Sequence, residues 1–120
     1  TINWINYKTG IRHIYFRMDA TKREAAIAIE IKHPDAAGRA LVYEQMASLK
    51  TYLEQVLEES WIWQPVFYDE DGSSASRIFT QLEGVNIFNK EHWPAIISFF
   101  KERIIKLDLF WNDVKTQFEL

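Results

Sequence analysis

Asp19, Glu30 and Lys32 are the residues of this chain whose types and spacing come nearest to catalytic chemistry. An acid on one strand, followed by Glu-x-Lys at the end of the next, is the outline of the Asp…Glu-x-Lys site of metal-dependent nucleases. That chemistry needs two carboxylates close enough to share a divalent ion, with a lysine beside the attacking water. Alternation along a strand puts Glu30 and Lys32 on one face, so part of the requirement is met locally. Whether Asp19 joins them depends on how the two strands pair.

The stretches 4–8, 11–19 and 25–32 each alternate apolar and polar residues and are separated by turn signals, Thr9-Gly10 being the first. Three strands in an antiparallel meander follow. A turn over Ala20–Arg23 that matches the apolar faces pairs Phe16 with Ile27, Ile14 with Ile29 and His13 with Glu30. Asp19 then sits at the bend opposite Glu24, roughly 20 Å along the strand from the partner of Glu30 at ~3.3 Å per residue. The two acids cannot share an ion in that register, and residues 1–18 hold no other Asp or Glu.

The same register, carried over Thr9-Gly10, pairs Ile5 with Ile14, Asn6 with His13 and Trp4 with Tyr15. The face away from the isoleucines then carries Trp4, Asn6, His13, Tyr15 and Glu30, with Arg17 and Lys32 flanking. An exposed sheet face with aromatics and a His-Glu pair suits a ligand, a peptide or an unstacked base. Cover by another element or a second subunit is the more common fate of such a face. His13 and Glu30 are two metal ligands without a third, so neither a metal nor another cofactor is expected. Glu30 and Lys32 otherwise read as a solvent-side pair helped by His13.

Pro34-Asp35 ends the third strand, and Asp35 is placed to cap a helix. From Ala36 to about Glu59, apolar residues recur at three- and four-residue steps, which predicts one amphipathic helix against the isoleucine face. Residues 61–68 and 76–82 read as a hairpin closed by Asp69-Glu70-Asp71-Gly72, with Pro65 marking an edge or a bulge. Trp61, Trp63, Phe67 and Phe79 form its large apolar set. Asn89 and Pro94 start a second long helix with a stripe of Ile97, Phe100, Ile104, Leu107, Trp111, Val114 and Phe118. That helix is apolar over most of its circumference and wants partners on two sides. The expected fold is therefore α+β, in two layers: a mostly antiparallel sheet of about five strands in the order βββαββα, with two long helices on one face.

Composition narrows the function classes. The 120 residues suit one domain. No cysteine is present, which removes disulfides and thiolate metal sites and makes the cytoplasm the expected compartment. No apolar run approaches the ~20 residues of a membrane span, so no membrane is expected. With 14 basic against 17 acidic residues, the molecular field does not favour nucleic acid. Aromatics at 15% support a well-packed core, with extra apolar surface to cover. No Ser, His and acid set suggests a nucleophile, and the four scattered glycines form no phosphate loop.

The segments INWINYKTGIRHIYFRMDA, AAIAIEIKHPDA and LEGVNIFNKEHWPAIISFFKERI resemble a bacterial domain-of-unknown-function family, number 4268, over almost the whole chain. The resemblance implies an additional helical segment before the Trp-Ile-Asn-Tyr strand, in keeping with a chain that opens on Thr1. It also implies that some longer relatives attach this domain behind a restriction-endonuclease-like domain, an association that points to an accessory role in nucleic acid metabolism or defence. It carries over no catalytic residue. The sequence as a whole points to a non-enzymatic interaction or assembly module, self-associating or binding another protein. The alternative is a nucleic-acid-processing domain using Glu30 and Lys32.

Overall fold

A computed structural model describes residues 5–119. Five strands, β1 (Ile5–Lys8), β2 (Ile14–Ala20), β3 (Glu24–Ile31), β4 (Ile62–Tyr68) and β5 (Ser74–Glu83), form one antiparallel sheet in the order β1-β2-β3-β5-β4. Helices α1 (Ala36–Ala47), α2 (Lys50–Leu57) and α3 (Trp93–Val114) cover one face, giving the α+β class. Ile14, Phe16, Met18, Ile27, Ile29 and Ile78 supply the sheet side of the core; Met46, Leu53, Leu57, Phe99, Leu107, Phe110 and Trp111 supply the helix side. The indole N–H of buried Trp111 donates to the Thr9 carbonyl at 2.7 Å, which ties α3 to the β1–β2 loop. Among the described residues no helix is long and apolar enough to cross a membrane.

The first helix and the first two hairpins differ from expectation. The single helix over 36–59 is two, because Ser48 offers its neighbours a local alternative: its Oγ donates to the Gln45 carbonyl at 2.6 Å, and Leu49 leaves helical geometry. The β2–β3 register is shifted by two residues. Thr21 Oγ1 accepts from the N–H groups of Arg23 and Glu24, so the turn is Thr21–Glu24 and Phe16 faces Ile29, Ile14 faces Ile31 and Asp19 faces Ala26. A shift of two preserves the faces, so the isoleucines still point inward. The first hairpin is looser than a Thr9-Gly10 turn: Gly10 does take positive φ, at 83°, but the loop runs to His13, itself at φ 70°. Ile5 consequently pairs with Met18 and Asn6 with Arg17.

The second hairpin holds both features that Pro65 suggested, since β4 is an edge strand and its ladder shifts between Gln64 and Phe67. The bulge divides the expected apolar set. Trp61 is buried among the helices and Trp63 packs edge-on to Tyr43, whereas Phe67 and Phe79 belong to the opposite face. Asn89 caps a short 3₁₀ turn, Lys90–His92, and α3 begins behind it with Pro94 in its first turn. The buried side of α3 starts at Ile96 and Phe99 rather than Ile97 and Phe100, leaving Ile97 60% exposed. Asp35 caps α1 as expected, accepting from the Gly38 N–H at 3.0 Å.

Candidate functional site

The face of the sheet that carries no helix is concave. β2, β3 and β5 form its floor and the Asp69–Asp71 turn overhangs one end, enclosing about 730 Å³. Alternation places Tyr15, Arg17 and Asp19 of β2 beside Ala26, Ala28 and Glu30 of β3, and Arg77 and Gln81 of β5 beyond them. Small side chains at 26 and 28 keep the middle of the floor low.

Glu30 lies at the centre, only 3% exposed although it is on the helix-free face. Its Oε1 accepts from Arg17 Nη1 at 3.0 Å, and Arg77 is its partner across β5. The Arg77 guanidinium sits 3.9 Å from the ring centre of Phe79 and 4.6 Å from that of Phe67, with Nε donating to Gln64 Oε1 at 2.8 Å. Phe67 reaches this position only because the β4 bulge reverses its facing. Burial lowers the Arg77 pKa, opposed by Glu30, Asp19 and Glu24. Arginine tolerates such a place because its flat, weakly hydrated group stacks on rings.

Asp19 is half-buried in the same basin, and its pKa is pushed up to about 6. Loss of water is the main cause; Glu24 and Glu30 add to it, while Arg17 and Arg77 oppose it. At the rim, Lys32 Nζ pairs with Asp69 Oδ2 at 3.1 Å. That contact, together with the Ser73 and Asp71 N–H groups, holds the Asp69 carboxyl below its ordinary pKa.

Of the residues singled out in the sequence, Tyr15, Arg17, Glu30 and Lys32 line the basin. Asn6 lies in β1 opposite Arg17, and Trp4 falls outside the described residues. His13 is not on this face. It belongs to the β1–β2 loop, where its ring is 4.7 Å from that of His33, and burial, His33 and Arg12 all lower its pKa. The expected solvent-side pair of Glu30 and Lys32 is corrected likewise: Glu30 is buried on Arg17, and Lys32 reaches across to Asp69. Asp19 and Glu30 are four strand positions apart in register, roughly 13 Å between backbones, and Arg17 stands between them. Among the described residues no group of three or more His, Cys, Asp or Glu could hold a metal ion.

Arg77, Gln64, Phe67 and Asp69 were not singled out as site residues in the sequence. An arginine flanked on its own strand face by Ala75 and Phe79 was the one available signal. His92 reads as a surface residue, yet its Nδ1 accepts from the Asn86 N–H at 2.9 Å and fixes the approach to α3.

Residues 1–115 match the family described as "Domain of unknown function (DUF4268)", and the chain belongs to that family. No curated protein and no solved structure matches it.

Proposed function

We propose, taking membership of that family as the premise, that this domain is a non-enzymatic protein-interaction module whose recognition surface is the helix-free face of the sheet. The observation that carries the reading is the 730 Å³ basin itself, a concave face whose charged side chains are already held in place by one another. Its lining has six acids, Asp19, Glu24, Glu30, Asp69, Glu70 and Asp71, against Arg17, Lys32 and Arg77. That balance suits a basic segment of a protein partner and works against nucleic acid or a second copy of the same face.

Self-association has separate support on α3. Trp93, Ile97, Ile105 and Leu109 follow one another at four- and eight-residue steps along its outer side and are 41–60% exposed. The row is apolar except at its middle, where exposed Lys101 interrupts it, and an apolar row along a helix can meet its own copy in an isologous contact. The alternative, nucleic-acid processing through Glu30 and Lys32, has less support, because both side chains are engaged in ion pairs and the intervening cation is Arg17.

Amide-resolved NMR titration with a lysine- and arginine-rich peptide tests the reading. Shifts are expected at Tyr15, Ala26, Ala28, Arg77 and Gln81, fading with added salt. Shifts confined to α3, or none at millimolar peptide, would refute it. So would Mg²⁺- or Mn²⁺-dependent DNA cleavage that a folded Glu30→Gln variant loses.

A further inference from the structure

A second cavity, of about 350 Å³, lies on the other side of the sheet between α1 and the β4 bulge. Arg39, Tyr43, Glu44, Pro65, Val66 and Ser76 line it, with two alanines of α1. Arg39 is only 9% exposed, and among the described residues nothing accepts a hydrogen bond from its guanidinium or lies within ion-pair distance of it. A charged side chain buried to this degree is ordinarily paired, yet here the guanidinium has no partner among the described residues and keeps some contact with solvent. Here its surroundings are alanine, proline, valine and the flank of a tyrosine, and the one acid present, Glu44, is exposed on the rim.

The other polar groups sort themselves by availability. Ser76 Oγ is spent, donating to the Pro65 carbonyl at 2.5 Å. The Tyr43 hydroxyl has no hydrogen-bond partner among the described residues, and burial raises its pKa, so it stays protonated and can donate. Arg39 and Tyr43 are four residues apart on one helix, which puts both donors over the same opening. Guanidinium and phenol together can both donate to one anion.

We propose that this cavity binds a small organic monocarboxylate, its two oxygens held by the Arg39 guanidinium and the Tyr43 hydroxyl and its apolar body against Pro65 and Val66. The planar fork of arginine matches a carboxylate in two-point geometry. A single buried cation balances a single negative charge. A phosphate dianion would leave one charge uncompensated in apolar surroundings and facing Glu44. The volume lies at the low end of ligand sites and sets the size at one ring or a short chain.

The probes are benzoate and hexanoate, with benzyl alcohol as the neutral counterpart and inorganic phosphate as the dianion, titrated into the full chain and followed by amide-resolved NMR. Both carboxylates are expected to shift Ala40, Tyr43, Val66 and Ser76, leaving the basin residues still. Benzyl alcohol and phosphate are expected to do so at least tenfold more weakly. Arg39→Met is expected to abolish the shifts and to melt no lower than the parent, because an unpaired buried charge has been replaced by an apolar side chain. Arg39→Lys, which keeps the charge and loses the fork, is expected to weaken binding about tenfold, and Tyr43→Phe a few-fold. Phosphate binding tighter than benzoate, benzoate binding that Arg39→Met or Arg39→Lys leaves intact, or no carboxylate shifts at tens of millimolar would each overturn the proposal. A lower melting temperature in Arg39→Met would likewise show that Arg39 serves the fold rather than a ligand.

Discussion

Replacing Asp19 with asparagine should stabilise the protein at neutral pH and leave it unchanged in acid. The carboxyl is raised from an ordinary 3.8 to about 6, a shift of roughly two units. At about 1.36 kcal/mol per unit this corresponds to about 3 kcal/mol of unfavourable ionisation. Asp19 is only half-buried and has Arg17 beside it, so solvent screening brings the figure to about 1.5 kcal/mol. The sign follows from which state holds the proton more tightly. Between the unfolded value near 4 and the folded value near 6 the native state binds more protons than the unfolded one, so stability falls as pH rises through that interval and is level above it. Asparagine keeps the size and loses the titration. Urea unfolding followed by tryptophan fluorescence at pH 4, 5, 6 and 7.5 should give superimposed curves for parent and Asp19→Asn at the acid end. At the neutral end the variant's midpoint should lie higher by about 1 M, with an unchanged slope. Subtracting the two profiles cancels every other titrating group. An offset of the same size at pH 4 and pH 7.5, or a variant less stable than the parent at neutral pH, would refute the account of Asp19 as a desolvated acid.

Three further perturbations separate the forces in the fold. Glu30→Ala should cost about 3 kcal/mol or more in urea unfolding because it leaves Arg17 and its neighbour Arg77 without their central carboxylate, whereas Glu30→Met with Arg17→Met should be close to neutral. Gly38→Ala should lower the thermal midpoint although alanine is the better helix former, since a Cβ there would meet the His33 ring at 2.5–2.8 Å; in a His33→Ala background the same change should raise it. Trp111→Phe should cost about 1–2 kcal/mol in urea unfolding, since it leaves the buried Thr9 carbonyl without the indole donor.

Which faces of the strands point inward was readable from alternation alone, because a two-residue error in register returns every side chain to the same side. The register itself was not. It rests on Thr21 Oγ1 capturing two backbone N–H groups, a local contact that moves the turn by one residue and Asp19 from the bend into the basin. For α3 the difficulty was the reverse. Apolar residues surround that helix, so periodicity marks two stripes equally well, and only the sheet's isoleucines select Ile96 and Phe99 over Ile97 and Phe100.

The site shows the same division. Tyr15, Arg17, Glu30 and Lys32 were found because alternation puts them on one face of the sheet, but no pattern within β3 could show that Glu30 is buried. Its burial comes from the length of its neighbours: Arg17 folds onto it, and Arg77 is laid flat by Phe67 and Phe79. Phe67 faces that way only through the bulge that Pro65 announces. Arg39 depends on the same proline at longer range. In the sequence it is an arginine among alanines in a helix's first turns, a pattern that ordinarily means solvent. Bulging the strand at Pro65 and Val66 closes a wall opposite it, so one residue without an N–H shapes both cavities: it turns a ring under the cation of the basin and encloses the unpaired cation of the second site.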